Sequence, residues 1–523
     1  MAVIAILALV IGVRLRLLSM PLERDEGEYA YAGQLILQGI PPYQLAFNMK
    51  LPGTYAAYAL IMALFGETDW GIHLGFLLLN LGALALLFAI SLRLINLSGA
   101  LVACACYALL SLSPGVLGLA GHATHLVAFF ALAGLLLLLR TRDSRGSALM
   151  FSSGLCFGLS YMCKQPGLFF GMFGFLLVLR DTLRARPAVW SSVIRRCGLF
   201  SLGVALPFAV ACLIFFGLGN FSQFWFWTFT YAKLHAGVLP PSVAWAQLTD
   251  FPNRAGWVMA SWPLAGIGFV CLIGQKDRND RKFLLLTLLL FSFLAFAAAF
   301  YFTQHYFIVV LPVVSLLAAI AVTATAEAVG GARLALVRSL PAALFVLACV
   351  GLVFANRTLW FRLGPNEASR MIYSRNPFPE SVEIARFIRE HSAPDTRIAV
   401  IGSEPQIYFY ARRHSASGFI YMYDLVQLHR YASQFQRQMI ADITAVKPDY
   451  LVLVPISSSW LNWPGADNTL SEWSAQYTRE FYYRAGVAYI YPDRTYYVWG
   501  NDPLPDRKDL GYQVGVYKRK GQL

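Results

Sequence analysis

The chain has 523 residues, of which 58% are AVILMFWYC and only 13% are charged. A soluble domain is about 25% charged and about 45–50% apolar even with glycine counted. This composition therefore excludes a soluble globular enzyme, a disordered chain and a disulfide-built secreted domain, and points to a polytopic membrane protein. The net charge of +14 is spread unevenly: residues 1–355 carry 22 Lys+Arg against 12 Asp+Glu, and residues 356–523 carry 20 against 16. The excess lies mostly in short loops between apolar runs, the pattern of the positive-inside rule rather than of a nucleic-acid binder.

About eleven apolar runs approach the roughly 20 residues that a spanning helix needs: 2–20, 70–92, 97–115, 119–139, 147–163, 166–180, 198–217, 255–274, 283–302, 305–325 and 339–355. The first starts at Met1 without a charged n-region, and no small-residue cleavage site follows Arg14 and Arg16, so it reads as a retained helix. Alternate loops hold 15 cations (Arg93; Arg140, Arg142, Arg145; Arg180, Arg184, Arg186, Arg195, Arg196; Lys276, Arg278, Arg281, Lys282; Arg333, Arg338) against 5 on the opposite side (Arg24, Lys50, Lys164, Lys233, Arg254). The crowded side is expected to be cytoplasmic, with the N-terminus inside and everything after residue 355 outside. All eight cysteines lie in or beside apolar runs, none in the tail, so a disulfide framework is not expected there.

Residues 1–355 thus read as a transmembrane domain, with a long first outer loop at 21–69, and residues 356–523 as an extracytoplasmic domain. In that tail, 379–391 has helical spacing, RIAVIG at 397–402 reads as a buried strand, and 404–413 as a helix. Residues 425–446 look helical, YLVLV at 450–454 is a second buried strand, and short aromatic strands follow at 486–491, 495–499 and 512–517. Alternating helices and strands suggest a small α/β domain. The G-S-E-P at 402–405 lacks the later glycines of a dinucleotide fingerprint.

Acids are scarce before the tail, and half of the 12 (Glu23, Asp25, Glu26, Glu28, Glu67 and Asp69) fall in the first outer loop. Two amphipathic stretches there, 25–38 and 51–65, look like helices lying on the membrane surface. The same outer side carries Lys50, His122, Thr124, His125, Lys164, Gln165, Lys233, His235, Gln304, His305 and Tyr306. Ionisable groups at membrane depth are expensive and are functional candidates by default; carboxylates can act as general bases and cations can stabilise an anionic leaving group. Each also has an ordinary explanation. Asp25 could cap a helix, the lysines could snorkel, and the histidines could be interfacial. Trp225 and Trp227 fit an aromatic belt better than a sugar platform.

The segment RDEGEYAYAGQLILQGIPPY, followed by NMKLPGTYAAYALIMALFG, resembles the first outer loop of GT-C glycosyltransferases, in particular the bacterial family related to protein O-mannosyltransferases and lipid A aminoarabinose transferases. The acidic pair of that loop is Asp25-Glu26 here, and its Lys-x-Pro turn is Lys50-Leu51-Pro52. GLSYMCKQPGLFF at 158–170 and TQHYFIVVLPVVSLLA at 303–318 resemble later helix starts, and the tail is similar to the exported domain of many members. His73 stands where members often have Arg. HATH at 122–125 stands where they often have Asp, which leaves a second catalytic carboxylate in doubt and His122 or His125 as stand-ins.

The resemblance implies a GT-C fold and an inverting transfer of sugar from a polyprenyl-phosphate donor at the outer membrane face. For such a displacement Asp25 is expected to act as base, with Glu26 orienting acceptor or base, and Lys50 and Lys164, then His305, to bind the donor phosphate. His122, His125, Gln165 and Tyr306 are then substrate-binding candidates. No residues are assigned to a metal; a divalent cation could sit beside Asp25, and the sequence does not demand one. The expected partners are a lipid-linked sugar, membrane lipids and an acceptor glycan, lipid or protein, with no nucleic acid. The rival is a transporter or lipid flippase, which calls for internal repeats and mid-membrane helix breaks; neither stands out in the sequence.

Overall fold

The computed structural model describes residues 2–144, 146–184, 189–275, 279–331, 335–500, 502–503 and 511–521. The apolar runs of the first 355 residues all become helices. Among the described residues, those expected to span appear as seven helices long and apolar enough to cross a membrane and four shorter ones. The short ones are α1 (Ala2–Arg16, 15 residues), Leu97–Leu110, Ser147–Cys163 and Ser339–Ala355. Glycines at a four-residue spacing, Gly154 and Gly158, let Ser147–Cys163 meet Trp190–Gly217 closely. A Cβ there would fall 2.1 Å from the Phe200 carbonyl oxygen and 2.4 Å from that of Val204, the small-xxx-small contact by which helices pack in lipid.

The bundle has two unlike ends. At one, Arg93 pairs with Asp143 at 2.6 Å, Arg142 with Asp181 at 2.7 Å, and Arg180 and Arg184 with Asp280 at 2.6 and 2.7 Å. Of the cations expected at this end, Arg145, Arg186, Lys276, Arg278 and Arg333 lie outside the described residues. The other end carries the first outer loop and the tail. Arg14 and Arg16 also point to that end. They act as struts, donating to the backbone carbonyls of Ser111 and Gly118, and of Leu359, Trp360 and Leu363, respectively.

In the first outer loop, α2 (Arg24–Leu37) starts with a reciprocal cap: Glu23 accepts from the Glu26 amide, and the Glu26 carboxylate accepts from the Glu23 amide. The α3 helix (Gly53–Phe65) follows. The α2 helix, expected to lie along the membrane surface, is not open to solvent: residues 26–35 are all buried. The tail covers the face that would otherwise meet water. Gly27 abuts the Gln406 backbone, Tyr31 accepts from the Ser415 amide at 2.8 Å, and the Phe47 amide donates to the Gly418 carbonyl at 2.7 Å. The tail itself is a six-stranded mixed sheet in the order β2-β1-β3-β6-β4-β5, with helices packed against it. The strands are β1 (Arg397–Ile401), β2 (His414–Ser415), β3 (Tyr450–Leu453), β4 (Tyr482–Ile490), β5 (Thr495–Trp499) and β6 (Tyr512–Arg519). The β1 strand is parallel to β2 and β3, and the remaining pairs are antiparallel. The helix expected at 404–413 is Gln406–Ala411. The one expected at 425–446 is broken into Tyr423–Val426 and Ala432–Val446, and a helix at Thr469–Phe481 was not foreseen.

Gly27→Ala should unseat α2 from the tail, because the new Cβ would lie 2.6 Å from backbone and side-chain atoms of Gln406. Overpacking of this kind costs about 1–3 kcal/mol. A lower melting temperature and faster proteolysis of the tail are expected, whereas Gly198→Ala, with nothing within 4 Å, should leave both unchanged.

Candidate active site

Asp25 is the second residue of α2, where the helix dipole favours an anion, and it faces a cavity of about 380 Å³ between the bundle and the tail. Its two oxygens are shared between opposite walls. Oδ1 accepts from Lys50 Nζ at 3.1 Å and from the Tyr421 hydroxyl at 3.1 Å. Oδ2 lies 3.6 Å from His305 Nε2 and 3.9 Å from His122 Nδ1. Burial alone would raise the Asp25 pKa, but Lys50, His305, His122 and Lys164 outweigh it and hold the carboxyl well below its ordinary value. Its neighbour Glu23 goes the other way: burial first, then the charges of Asp25 and Glu26, push it well up. The clustered acids thus respond in opposite directions, Asp25 down and Glu23 up.

Lys50 is reached through the turn-rich 39–50 stretch, whose Tyr43 hydroxyl donates to the Lys50 carbonyl at 2.7 Å. Its ammonium is held between Asp25 and fully buried Glu28, 2.6 Å away. Burial disfavours the Lys50 charge, yet the two carboxylates together raise its pKa well above normal. Tyr55 donates to the other oxygen of Glu28 at 2.6 Å, which completes the support. Lys164 ends the helix Ser147–Cys163, and its Nζ sits 3.7 Å above the Tyr306 ring. It pairs with no carboxylate among the described residues. Burial therefore dominates and brings its pKa down to about 7.

The residues singled out in the sequence separate into two groups. Asp25, Lys50, His122, Lys164, His305 and Tyr306 line the cavity, and Gln165 lines an adjoining apolar recess of about 260 Å³, where its amide donates to the Met49 carbonyl at 2.6 Å. Glu26 and His125 line neither. Glu26 turns to the far side of α2, 2.9 Å from His73 Nε2 and accepting from the Gly121 amide; its contact with the reacting space is indirect, through the start of α2. His125 is buried one turn inside the bundle, edge-on to Phe76 at 6.1 Å. Trp227 is a packing residue, stacked on Phe47 at 5.0 Å and buried, and Trp225 is exposed. The sequence did not single out the tail's contribution: Tyr421, Tyr423, Asp424 and Gln427 all line the cavity.

Asp25, His122 and His305 each present one ligand atom, and these atoms lie within 4.8 Å of one another. The two imidazoles stack at 4.1 Å between centroids, and neither ring nitrogen of His122 has a hydrogen-bond partner. Orphaned imidazole nitrogens beside an ionised carboxylate fit a divalent transition metal better than the oxygen-seeking magnesium or calcium.

Residues 50–216 match the family model described as dolichyl-phosphate-mannose-protein mannosyltransferase, which is less than half of the chain. No curated protein sequence matches. Among solved structures, the chain is similar to ArnT from Cupriavidus metallidurans bound to undecaprenyl phosphate, at 15% identity and a TM-score of 0.60, over 95% of this chain and 97% of that one. It is also similar to the archaeal oligosaccharyltransferase AglB from Archaeoglobus fulgidus, in complex with an inhibitory peptide and a dolichol-phosphate. There the identity is 14% and the TM-score 0.55, over 96% of this chain and 75% of that one. An Archaeoglobus fulgidus oligosaccharyltransferase in complex with Zn and sulfate matches at 12% identity and a TM-score of 0.53, over 95% and 73%. The helical bundle, the long first outer loop and the mixed-sheet tail thus follow these structures over nearly the whole chain, and its fold is that of the GT-C membrane glycosyltransferases.

Proposed function

We propose that this protein transfers a sugar from a polyprenyl-phosphate donor to an acceptor hydroxyl at the outer face of the membrane, with inversion at the anomeric carbon. The observation that carries this reading is the meeting, in one cavity, of an ionised carboxylate and a lysine without a carboxylate partner, at the mouth of an apolar recess. Leu168, Phe169, Ala298 and Ala299 wall that recess, with Lys50 and Lys164 at its mouth, and Leu168 is 45% exposed. A prenyl chain suits the apolar walls and its phosphate suits Lys164. Undecaprenyl phosphate in ArnT and dolichol-phosphate in AglB lend support to a lipid of this kind.

In the proposed reaction the acceptor hydroxyl oxygen attacks the anomeric carbon from the face opposite the phosphate. Asp25 takes the hydroxyl proton as the new C–O bond forms. The bond between the anomeric carbon and the phosphate oxygen breaks, and its electron pair leaves with the lipid phosphate, which Lys164 stabilises. Lys50 keeps Asp25 ionised, Tyr421 fixes its orientation, and Glu26 acts as a positioning residue through the helix start. A divalent cation held by Asp25, His122 and His305 would supply positive charge to an adjacent substrate oxygen.

Three outcomes are expected. Asp25→Asn preserves size and capping ability but cannot take a proton. Turnover, followed as undecaprenyl phosphate released from undecaprenyl-phosphate sugars, should fall about 10²–10⁴-fold in a protein of normal melting temperature. Activity within about threefold of wild type would remove Asp25 as base.

Lys164→Met should weaken donor binding about tenfold to a hundredfold, about 1.4–2.7 kcal/mol. Lys50→Met should lower turnover more than affinity, because its ammonium is already engaged with Asp25 and Glu28. Equal losses of affinity would make both lysines phosphate ligands.

The cations crowded at the end away from the site support a cytoplasmic position for that end, by the positive-inside rule. A reporter active only in the cytoplasm should stay silent when fused after residue 400, and a strong signal there would put the site on the wrong side for this reaction.

A further inference from the structure

A second group of polar side chains lines the same cavity, and the chemistry at Asp25 does not use it. Residues 226–231 form a π-helical turn, a local distortion that is frequent at functional sites. The turn carries Tyr231, fully buried, inward, and its hydroxyl donates to Asp424 Oδ1 at 2.8 Å. Asp424 comes from the tail, on the short helix Tyr423–Val426, and is 6% exposed. His235 Nδ1 lies 3.9 Å from the same Asp424 oxygen, too far for a hydrogen bond. The His235 ring stacks on Tyr301 at 5.1 Å. Gln427, also 6% exposed, lies beside His235 and Tyr301, but neither its side-chain oxygen nor His235 Nδ1 makes a hydrogen bond of good geometry.

Buried polar atoms left unpaired are unfavourable. Here they face a cavity, so a ligand can satisfy them. This part of the wall offers a carboxylate, an amide, an imidazole and an aromatic ring, a set that matches the hydroxyls and the apolar face of a sugar, while Lys50, Lys164 and Arg254 line the same cavity. Its place in the cavity separates donor from acceptor. His235 and Tyr301 line both the cavity that holds Asp25 and the apolar recess with Lys164 at its mouth. A lipid whose chain lies in the recess and whose phosphate lies at Lys164 would carry its sugar past these two residues, towards Asp424 and Gln427.

We infer that Asp424, Gln427 and His235 form the subsite that recognises the hydroxyls of the donor's neutral sugar, so that the tail, rather than the bundle, selects which sugar is transferred. This rests on the transferase reading above. Asp424 would accept from a ligand hydroxyl through its second oxygen, the first being held by Tyr231. A bare polyprenyl phosphate would leave all three groups unsatisfied.

The test measures binding of four lipids to the full-length protein in nanodiscs: undecaprenyl phosphate and its glucose, mannose and galactose conjugates. Wild type should bind at least one conjugate about tenfold tighter than the bare lipid. Asp424→Asn, which keeps an acceptor for Tyr231, and Gln427→Leu should each erase most of that preference while shifting affinity for the bare lipid less than about threefold. A preference that survives both variants would overturn the proposal. So would a parallel loss for bare and sugar-bearing lipids, which would make these residues merely structural, and so would a wild type that binds all four lipids equally. Failure of wild type to bind any of the four, the bare lipid included, would overturn the transferase reading and this proposal together.

Discussion

A largely buried carboxylate needs nearby cations to stay ionised, and the pairing of Asp25 with Lys50 is the interaction on which the rest of the site depends. Burial penalises both charges, and each makes the other tolerable. Glu28 and Tyr55 extend the pair into the core of the first outer loop, so the loop's packing and the charge of its key residue are one problem. The reciprocal cap between Glu23 and Glu26 fixes where α2 begins, and therefore where Asp25 points. A shift of one residue in that start would rotate Asp25 about 100° around the helix and out of the cavity.

The tail takes part in the same arrangement. It buries the face of α2 that would otherwise meet water, and it places the Tyr421 hydroxyl on Asp25 and the segment 421–427 along the cavity wall. Arg24, next in sequence to Asp25, reinforces the junction by pairing with fully buried Glu404 at 2.7 Å. Bundle and tail thus share the site, and neither encloses it alone.

Much of this was legible in the sequence, for a physical reason: in a chain so poor in charge, each ionisable group outside the cation-crowded loops is conspicuous. Asp25, Lys50, His122, Lys164 and His305 stood out that way, and all line one cavity. Facing was harder to read. Glu26 follows Asp25 directly, and on a helix that places it roughly a quarter-turn away, against His73 and the Gly121 amide. His122 lies just before its helix and His125 within it, so their spacing of three residues does not put them on one face. The burial of α2 was missed because a helix covered by a distant part of the chain looks, in isolation, like one lying on a membrane. Gly27 and Gly33 within it were the available signal, since small residues mark close approach. Tyr421, Asp424 and Gln427 could not be tied to Asp25 across about 400 residues of intervening chain, although YMYDLVQ is an unusually aromatic and polar stretch for a loop.

In the proposed reaction the charges serve a single displacement, with Asp25 as base and one leaving phosphate, while Glu26 and Glu28 are engaged by His73 and Lys50. The most direct test is the anomeric configuration of the product, read by proton NMR together with the number of lipid phosphates released per sugar transferred. The account predicts a configuration opposite to that of the donor and one polyprenyl phosphate released per transfer. Retained configuration, or transfer without release of the lipid phosphate, would contradict it.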